Sequence, residues 1–178
     1  MEEVLGMGRR GLTILYTGNG KGKTTASMGQ VLRAVGHGFK VCIVQFIKGK
    51  WATGEAKACA ALDGVEFYAM GTGFTWHEEP QQTKRAAEAG WALAEEKVMS
   101  GAYDLVVLDE LTYLIDYRLV DESRILDLIR KRPAHVHLVV SGRGASPALV
   151  EAADLVTEML EIKHPYRLGV TAQAGIEF

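Results

Sequence analysis

The sequence predicts an α/β fold with a mainly parallel sheet and helices on both faces. Short apolar runs alternate with longer amphipathic stretches, the runs are rich in valine and isoleucine, and a glycine-rich loop follows the first run. Near-continuous apolar runs are typical of strands that are buried on both faces of a parallel sheet. The alternation implies right-handed crossovers and three layers. A chain of 178 residues fits one domain, which we expect to span residues 1–178.

Six apolar runs bounded by turn residues are the candidate strands. They are Leu12–Thr17, Lys40–Ile47, Val65–Met70, Tyr103–Asp109, His135–Ser141 and Leu155–Ile162. The segments between them supply the candidate helices and loops.

Two longer helices are indicated by apolar residues at helical spacing, over Lys23–Val35 and Pro80–Ser100. Asp121 is a candidate N-cap for a third helix, which ends before Pro133. A fourth, short helix is predicted with Ser146 as its N-cap, Pro147 as its first residue and Ala153 as its end. Three segments are predicted to be irregular: Gly49–Gly64, Gly71–Glu79 and Lys163–Phe178.

The composition excludes several classes of protein. Lys and Arg total 20 against 22 Asp and Glu, a net charge of −2, so we expect neither a nucleic-acid coat nor binding to an anionic membrane. Cys42 and Cys59 are too few and too far apart for a disulfide framework or a zinc site. No signal peptide or membrane-spanning apolar stretch is evident, so we expect a cytoplasmic protein.

The glycine-rich loop Gly18–Thr25 follows the first strand and precedes a helix. Glycines let backbone N–H groups turn towards phosphate oxygens, and the helix N-terminus adds a positive dipole end. Lys23 would reach phosphate and the Thr24 hydroxyl would ligate Mg²⁺. The strict P-loop pattern places glycine at position 17, where this chain has Thr17, so the loop is a variant of that pattern. A glycine-rich surface turn is the alternative interpretation.

An acidic pair ends another buried run. Asp109 and Glu110 follow four apolar residues, a pattern that puts a carboxylate beside Mg²⁺ in nucleotide sites. An ordinary acidic turn is the alternative for this segment taken alone. Together with the glycine loop, the pair predicts binding of a nucleoside triphosphate with Mg²⁺.

Several strings in the chain resemble the P-loop corrinoid adenosyltransferases. These strings are YTGNGKGKTT, VQFIKG, TGFTW, VLDELTY and the ending with Gly169, Gln173 and Gly175-Ile176. The resemblance covers the chain from Gly11 to Phe178. It implies transfer of the 5′-deoxyadenosyl group of ATP to the cobalt of a reduced corrinoid, with release of triphosphate, in adenosylcobalamin synthesis or salvage. It also implies a recombinase-like P-loop NTPase fold with strand order 3-2-4-5-1-6, Mg²⁺ as cofactor, a homodimer and a flavoprotein reductase as electron donor.

The resemblance also implies roles for individual residues. Catalytic roles fall on Lys23, Phe74 and Trp76, the last two as an aromatic pair beneath the corrin ring. The metal-binding residues would be Thr24, Asp109 and Glu110. The residues implied to contact the nucleotide are Gly18, Asn19, Gly20, Lys21, Gly22, Lys23, Thr24, Thr25 and Arg33. Apart from the resemblance, Arg143 lies between two glycines after a strand end, where α/β folds bind ligands, so we expect it to contact the nucleotide or the substrate. The family holds ATP in a reversed sense along its loop, which this glycine spacing allows.

Relatives often carry a longer polar N-terminal extension that folds over the corrinoid site. Only about ten residues precede Gly11 here, so the resemblance does not carry such a lid over. Three other activities share parts of the pattern: a generic ATPase or small-molecule kinase, a nucleic-acid-dependent motor, and a corrinoid carrier without catalysis. The motor would need a basic track, and the carrier would need neither Thr24 nor the acidic strand end.

The remaining candidate residues each have a structural interpretation besides a functional one. His135 and His137 share one face of a strand, and we interpret them as the polar end of that strand and not as metal ligands. His77 would lie near the corrinoid or in solvent, and Trp51 would line the cleft or cover the core. Trp91 lies on an apolar helix stripe and is predicted to be a core residue.

Overall fold

A sheet of six strands forms the middle layer of the computed structural model, which describes residues 10–46, 53–70 and 80–177. The strands are β1 (Thr13–Thr17), β2 (Val41–Gln45), β3 (Val65–Ala69), β4 (Leu105–Asp109), β5 (His137–Ser141) and β6 (Leu155–Glu158). Their order is β3-β2-β4-β5-β1-β6, and each neighbouring pair is parallel. The predicted order 3-2-4-5-1-6 is confirmed. Each strand is shorter than its predicted run, and the predicted end of the second run, Ile47, lies outside the described residues.

Helices cover both faces of the sheet. They are α1 (Lys23–Val35), α2 (Gly54–Cys59), α3 (Pro80–Met99), α4 (Thr112–Asp116), α5 (Glu122–Lys131) and α6 (Pro147–Ala152), and a 3₁₀ turn spans Pro165–Leu168. The prediction that 49–64 is irregular throughout was wrong, because α2 lies inside it. The side chain of Thr53 accepts a hydrogen bond from Ala56 N at 3.3 Å and caps this short helix. No helix in these described ranges is long and apolar enough to cross a membrane.

Alternate residues of the central strands pack on opposite faces. On one face, Val106 and Leu108 of β4 join a cluster that contains Trp91 of α3 and Ile125 of α5. On the other face, Leu105 and Val107 pack with residues of α1 and α2. Trp91 is completely buried, which agrees with its prediction as a core residue. The central strands are therefore buried on both sides, as the continuous apolar runs indicated.

The parallel arrangement brings the carboxyl ends of the strands to one edge of the sheet. Gln45, the last residue of β2, is in register with Asp109, the last residue of β4. Ser141, the last residue of β5, is in register with Tyr16 of β1. The loop that follows β1 meets these strand ends, so four strands contribute to one site.

Candidate active site at the strand ends

The loop between β1 and α1 owes its shape to glycine. Gly18 has φ +96° and Gly22 has φ +108°, a left-handed backbone that favours glycine. A Cβ atom on Gly18 would also lie 2.4 Å from the carbonyl oxygen of Met159. Gly20 N donates to this oxygen at 2.7 Å. The chain that follows β6 thus supports the loop directly, and a side chain at position 18 would not fit.

Lys23 is buried inside the loop, with 7% of its surface exposed. Its Nζ donates to the carbonyl oxygens of Gly18 at 2.8 Å and Gly20 at 2.7 Å. Burial lowers the pKa of Lys23 below its ordinary value of 10.5, while the carboxylate of Glu110 raises it and the charge of Arg143 lowers it. The loop therefore holds a desolvated ammonium group where phosphate oxygens are expected.

Thr24 and Asp109 join the loop to the end of β4. The Thr24 Oγ1 donates to the two carboxylate oxygens of Asp109 at 3.2 and 3.3 Å. A hydroxyl that donates its proton to a carboxylate directs its oxygen lone pairs elsewhere. Thr24 can therefore offer an oxygen ligand to a cation while Asp109 fixes its orientation.

Two residues that the sequence analysis missed complete the surroundings of Asp109. Gln45 Nε2 donates to its Oδ2 at 2.7 Å, and Ser141 Oγ donates to its Oδ1 at 2.5 Å. Asp109, Gln45 and Ser141 are each at most 1% exposed. The sequence carries a weak signal for both donors: Gln45 is an uncharged polar residue among apolar ones near the end of its run, and Ser141 is the last residue of its run. With both oxygens of Asp109 engaged inside the protein, its main part is to hold its neighbours in place.

Glu110 is the partly exposed member of the acidic pair. Its φ is +62°, an uncommon backbone angle for a residue with a side chain. Its backbone N donates to Ser141 Oγ at 3.0 Å. Its carboxylate is close enough to Lys23 to raise the pKa of that ammonium. Glu110 thus lies beside the loop and is the better placed of the two acids to contact a metal–nucleotide.

Thr17 and Arg143 connect the loop to the segment after β5. Thr17 Oγ1 accepts a hydrogen bond from Ala145 N at 3.2 Å, which gives the threonine a structural task at the position of the missing P-loop glycine. Arg143 lies between two glycines with positive φ, Gly142 and Gly144. Its side chain is exposed, and its positive charge lowers the pKa of Lys23. Arg143 therefore lies near the loop, and its contact with the nucleotide or substrate stays a prediction.

The structure does not bring Arg33 to the loop. Arg33 lies in the last turn of α1, ten residues after Lys23, which corresponds to about 15 Å along a helix. Its guanidinium donates to Gln30 at 3.4 Å, and it lines a second cavity of about 150 Å³ with His37 and Phe39. A nucleotide contact by Arg33 stays a prediction.

Two other residues that were implied to contact the nucleotide lie next to the C-terminal segment. Lys21 forms an ion pair with Glu177. Thr25 lines a cavity of about 340 Å³ between α1, α2 and the C-terminal segment, together with Met28 and Ile176. Asn19 is exposed on the loop. The C-terminal segment therefore lies against the phosphate loop.

Four aromatic residues of the sequence analysis belong to the segments 47–52 and 71–79. Phe74, Trp76, His77 and Trp51 all lie outside the described residues. The role of Phe74 and Trp76 beneath a corrin ring stays a prediction.

The oxygen donors at the loop fit Mg²⁺. The Thr24 hydroxyl and the Glu110 carboxylate are hard ligands of the kind that Mg²⁺ prefers, and Mg²⁺ is commonly held by one or two such groups together with phosphates. Direct ligation of the metal by Asp109 stays a prediction. A nucleotide site of this kind combines a buried ammonium, a hydroxyl that can bind a metal, and an acid at the end of another strand.

The fold and this site define a P-loop nucleotide-binding protein of the α/β class. Among solved structures, the cytoplasmic domain of EssC is similar to the chain with a TM-score of 0.51 and 14% identity, over 92% of this chain and 34% of that one. This likeness supports the fold alone.

The sequence profile of the family "ATP:corrinoid adenosyltransferase BtuR/CobO/CobP" matches residues 9–178, and the chain belongs to this family. A corrinoid adenosyltransferase of Pseudomonas aeruginosa is 45% identical over 171 residues, covering 95% of this chain and 84% of that protein. One from Escherichia coli K12 is 42% identical over 170 residues, covering 95% and 86%. The chain is therefore an enzyme, a transferase that uses ATP and acts on a corrinoid.

Proposed function

We propose that this enzyme transfers the 5′-deoxyadenosyl group of ATP to the cobalt(I) ion of a reduced corrinoid and releases triphosphate, in the synthesis or salvage of adenosylcobalamin. The observation that carries the proposal is the buried ammonium of Lys23 beside Thr24 and the 109–110 acids, in a chain of this family. Such a site is suited to bind a triphosphate as a leaving group, because it concentrates positive charge and metal ligands at one place.

The bond changes need no general base. The electron pair of cobalt(I) forms the bond to the 5′ carbon, the bond between that carbon and the triphosphate oxygen breaks, and its pair leaves with the triphosphate. No proton is transferred. The protein must therefore hold the two substrates in line and stabilise the departing charge.

Named residues would share this work. Lys23 and the loop N–H groups bind the triphosphate, and Thr24 with Glu110 holds Mg²⁺, assisted through Thr24 by Asp109. When bound, Mg²⁺ neutralises charge on the triphosphate. Arg143 adds a second positive charge close to the loop. The other implied nucleotide contacts, Asn19, Lys21, Thr25 and Arg33 among them, belong to the same proposal.

The decisive experiment incubates the protein with ATP, Mg²⁺ and a corrinoid that has been reduced chemically to cobalt(I). We expect a light-sensitive cobalt–carbon product and stoichiometric triphosphate. Release of ADP or phosphate without this product would instead indicate the ATPase or kinase activity. A Glu110→Gln variant should lower the rate, and omission of the corrinoid should abolish triphosphate release.

Reduction of cobalt(II) is a separate difficulty, for which we propose a flavoprotein reductase as electron donor. Phe74 and Trp76 would wall the lower face of the corrin, exclude the axial ligand and so make reduction easier. Phe74→Ala should then lose activity with cobalt(II) and a mild reductant but keep most of it with preformed cobalt(I). Phe67→Ala, in β3, is the control for a general loss of stability. Equal loss of activity in both assays by a folded Phe74→Ala protein would contradict this role.

We also propose that the enzyme forms a homodimer through β6 and the segment that follows it. All four residues of this outermost strand are exposed. Leu160, Ile162, Tyr166 and Leu168 are between 66% and 87% exposed. A second copy would cover this apolar surface and could pair with the edge of β6. Ile162→Asp should give a monomer by light scattering, while Met99→Asp, on α3, should not.

The cytosol is the compartment we propose for this reaction, since it supplies both ATP and reductants. The two cysteines, Cys42 and Cys59, are free and buried, which agrees with a reducing compartment.

A further inference from the structure

Ser141 contacts both acids of the site with one hydroxyl group. Its Oγ donates to Asp109 Oδ1 at 2.5 Å and accepts from Glu110 N at 3.0 Å. The donated bond has the short length of a hydrogen bond to a carboxylate. Ser141 and Asp109 are both 0% exposed, so water does not compete for either bond.

The position of Ser141 is fixed by its neighbours in the chain. It ends β5, which lies between β4 and β1. The next residue, Gly142, has φ +147°, and its N donates to Tyr16 O at 3.1 Å. A Cβ atom on Gly142 would lie 2.0 Å from Thr112 Oγ1. The backbone therefore leaves β5 in one direction only and holds the Ser141 hydroxyl against the end of β4.

The bond to Glu110 matters because Glu110 has a strained backbone. A residue with a side chain at φ +62° keeps that angle only where its surroundings hold it. The angle sets the direction in which the side chain leaves the backbone, and therefore where the carboxylate lies relative to Thr24 and Lys23. Loss of the Ser141 acceptor would let Glu110 relax to a commoner angle.

We propose that Ser141 is a positioning residue for the metal–nucleotide: it holds Glu110 in the orientation that contacts the metal while it fixes Asp109, which in turn orients Thr24. The inference rests on the Mg²⁺–ATP part of the proposed function. Gln45 fixes Asp109 from the other side, through Oδ2 at 2.7 Å. Gln45 therefore serves as a comparison for Ser141: both residues bond to Asp109, but Ser141 also bonds to Glu110.

The test compares ATP affinity with Mn²⁺ and with EDTA by calorimetry, because the ratio of the two dissociation constants isolates the contribution of the metal. In Ser141→Ala this ratio should fall about tenfold, the effect of losing interactions worth about 1.4 kcal/mol. The metal-free affinity should stay unchanged, since the bonds that hold Lys23 to Gly18 and Gly20 do not involve Ser141. The electron paramagnetic resonance spectrum of bound Mn²⁺ should change as well.

Three further variants make the test specific. Ser141→Thr keeps the hydroxyl and should restore most of the ratio. Gln45→Leu should lower it less than Ser141→Ala, because the bond to Glu110 remains. Ser146→Ala is the matched control: this serine caps α6 by accepting from Leu149 N at 3.0 Å, so its loss should lower the melting temperature without changing the ratio.

A folded Ser141→Ala protein with the wild-type ratio would overturn the proposal, and so would an equal loss in Gln45→Leu. If Ser141→Ala does not fold, Ser141→Cys takes its place, since a thiol fills similar space but is a weaker donor and acceptor. A wild-type protein whose ATP affinity ignores Mn²⁺ would instead contradict the proposed function itself, so the two failures are distinguishable.

Discussion

Replacement of Lys23 by alanine tests the phosphate site at the group that carries most of its charge. The ammonium already makes hydrogen bonds to two carbonyl oxygens of the loop, at 2.8 and 2.7 Å. A bound triphosphate would offer charged oxygens to the same N–H groups. Hydrogen bonds to charged groups contribute about 1.5–3 kcal/mol each. Loss of two such bonds should therefore lower kcat/KM for ATP by about 10²–10⁴-fold.

The assay measures initial rates of cobalt–carbon bond formation with preformed cobalt(I) and varied Mg²⁺–ATP. Lys131→Ala is the matched control, because Lys131 pairs with the surface residue Asp127 of its own helix, at 2.8 Å. It should retain wild-type rates. Thermal unfolding shows whether both variants are folded. A folded Lys23→Ala protein with kcat/KM within about threefold of wild type would refute the assignment of the loop.

Three further predictions concern the metal, the pH dependence of stability and the core. Thr24→Ala should raise the Mg²⁺ concentration needed for half-maximal rate and regain part of its activity at high Mg²⁺, whereas Thr24→Ser should behave like wild type; a fixed loss at every Mg²⁺ concentration would contradict a metal ligand. Burial raises the pKa of Cys42 from 9.0 to about 12, so the unfolded chain loses this proton first and the free energy of unfolding should fall as pH rises from 9.0 towards 12, by up to about 1.4 kcal/mol per pH unit. Chemical denaturation at several pH values should show a shallower fall in Cys42→Ala, and an unchanged slope would exclude this thiol as a cause. Trp91→Ala should lower the free energy of unfolding by about 3–5 kcal/mol and leave KM for ATP unchanged, because Trp91, a residue of α3, is completely buried in the core cluster that contains Ile125 of α5.

The fold could be predicted from the sequence where the signal is long or strictly patterned. Each apolar run contains a strand, and the order of the strands came from the family resemblance, since a local pattern does not encode which strands are neighbours. Helix α2, with six residues, and α4, with five, were missed. A helix of fewer than two turns presents too little of the 3.6-residue period to be detected. The side chain of Thr53 and the geometry at the end of β4 start these helices instead.

The residues of the site also differ in whether a local motif or a distant contact determines their position. Lys23 and Thr24 are fixed by one continuous motif, and Asp109 by the end of one strand, so the sequence predicts them directly. Gln45 and Ser141 act through the sheet: they reach Asp109 across 64 and 32 residues of chain, and only the parallel register brings them there. Yet in a sheet whose strands are buried on both faces, a polar residue near the end of an apolar run must find a partner or face solvent. The carboxyl ends of parallel strands meet at one edge, so polar residues near the ends of two buried runs predict a shared network before the order of the strands is known.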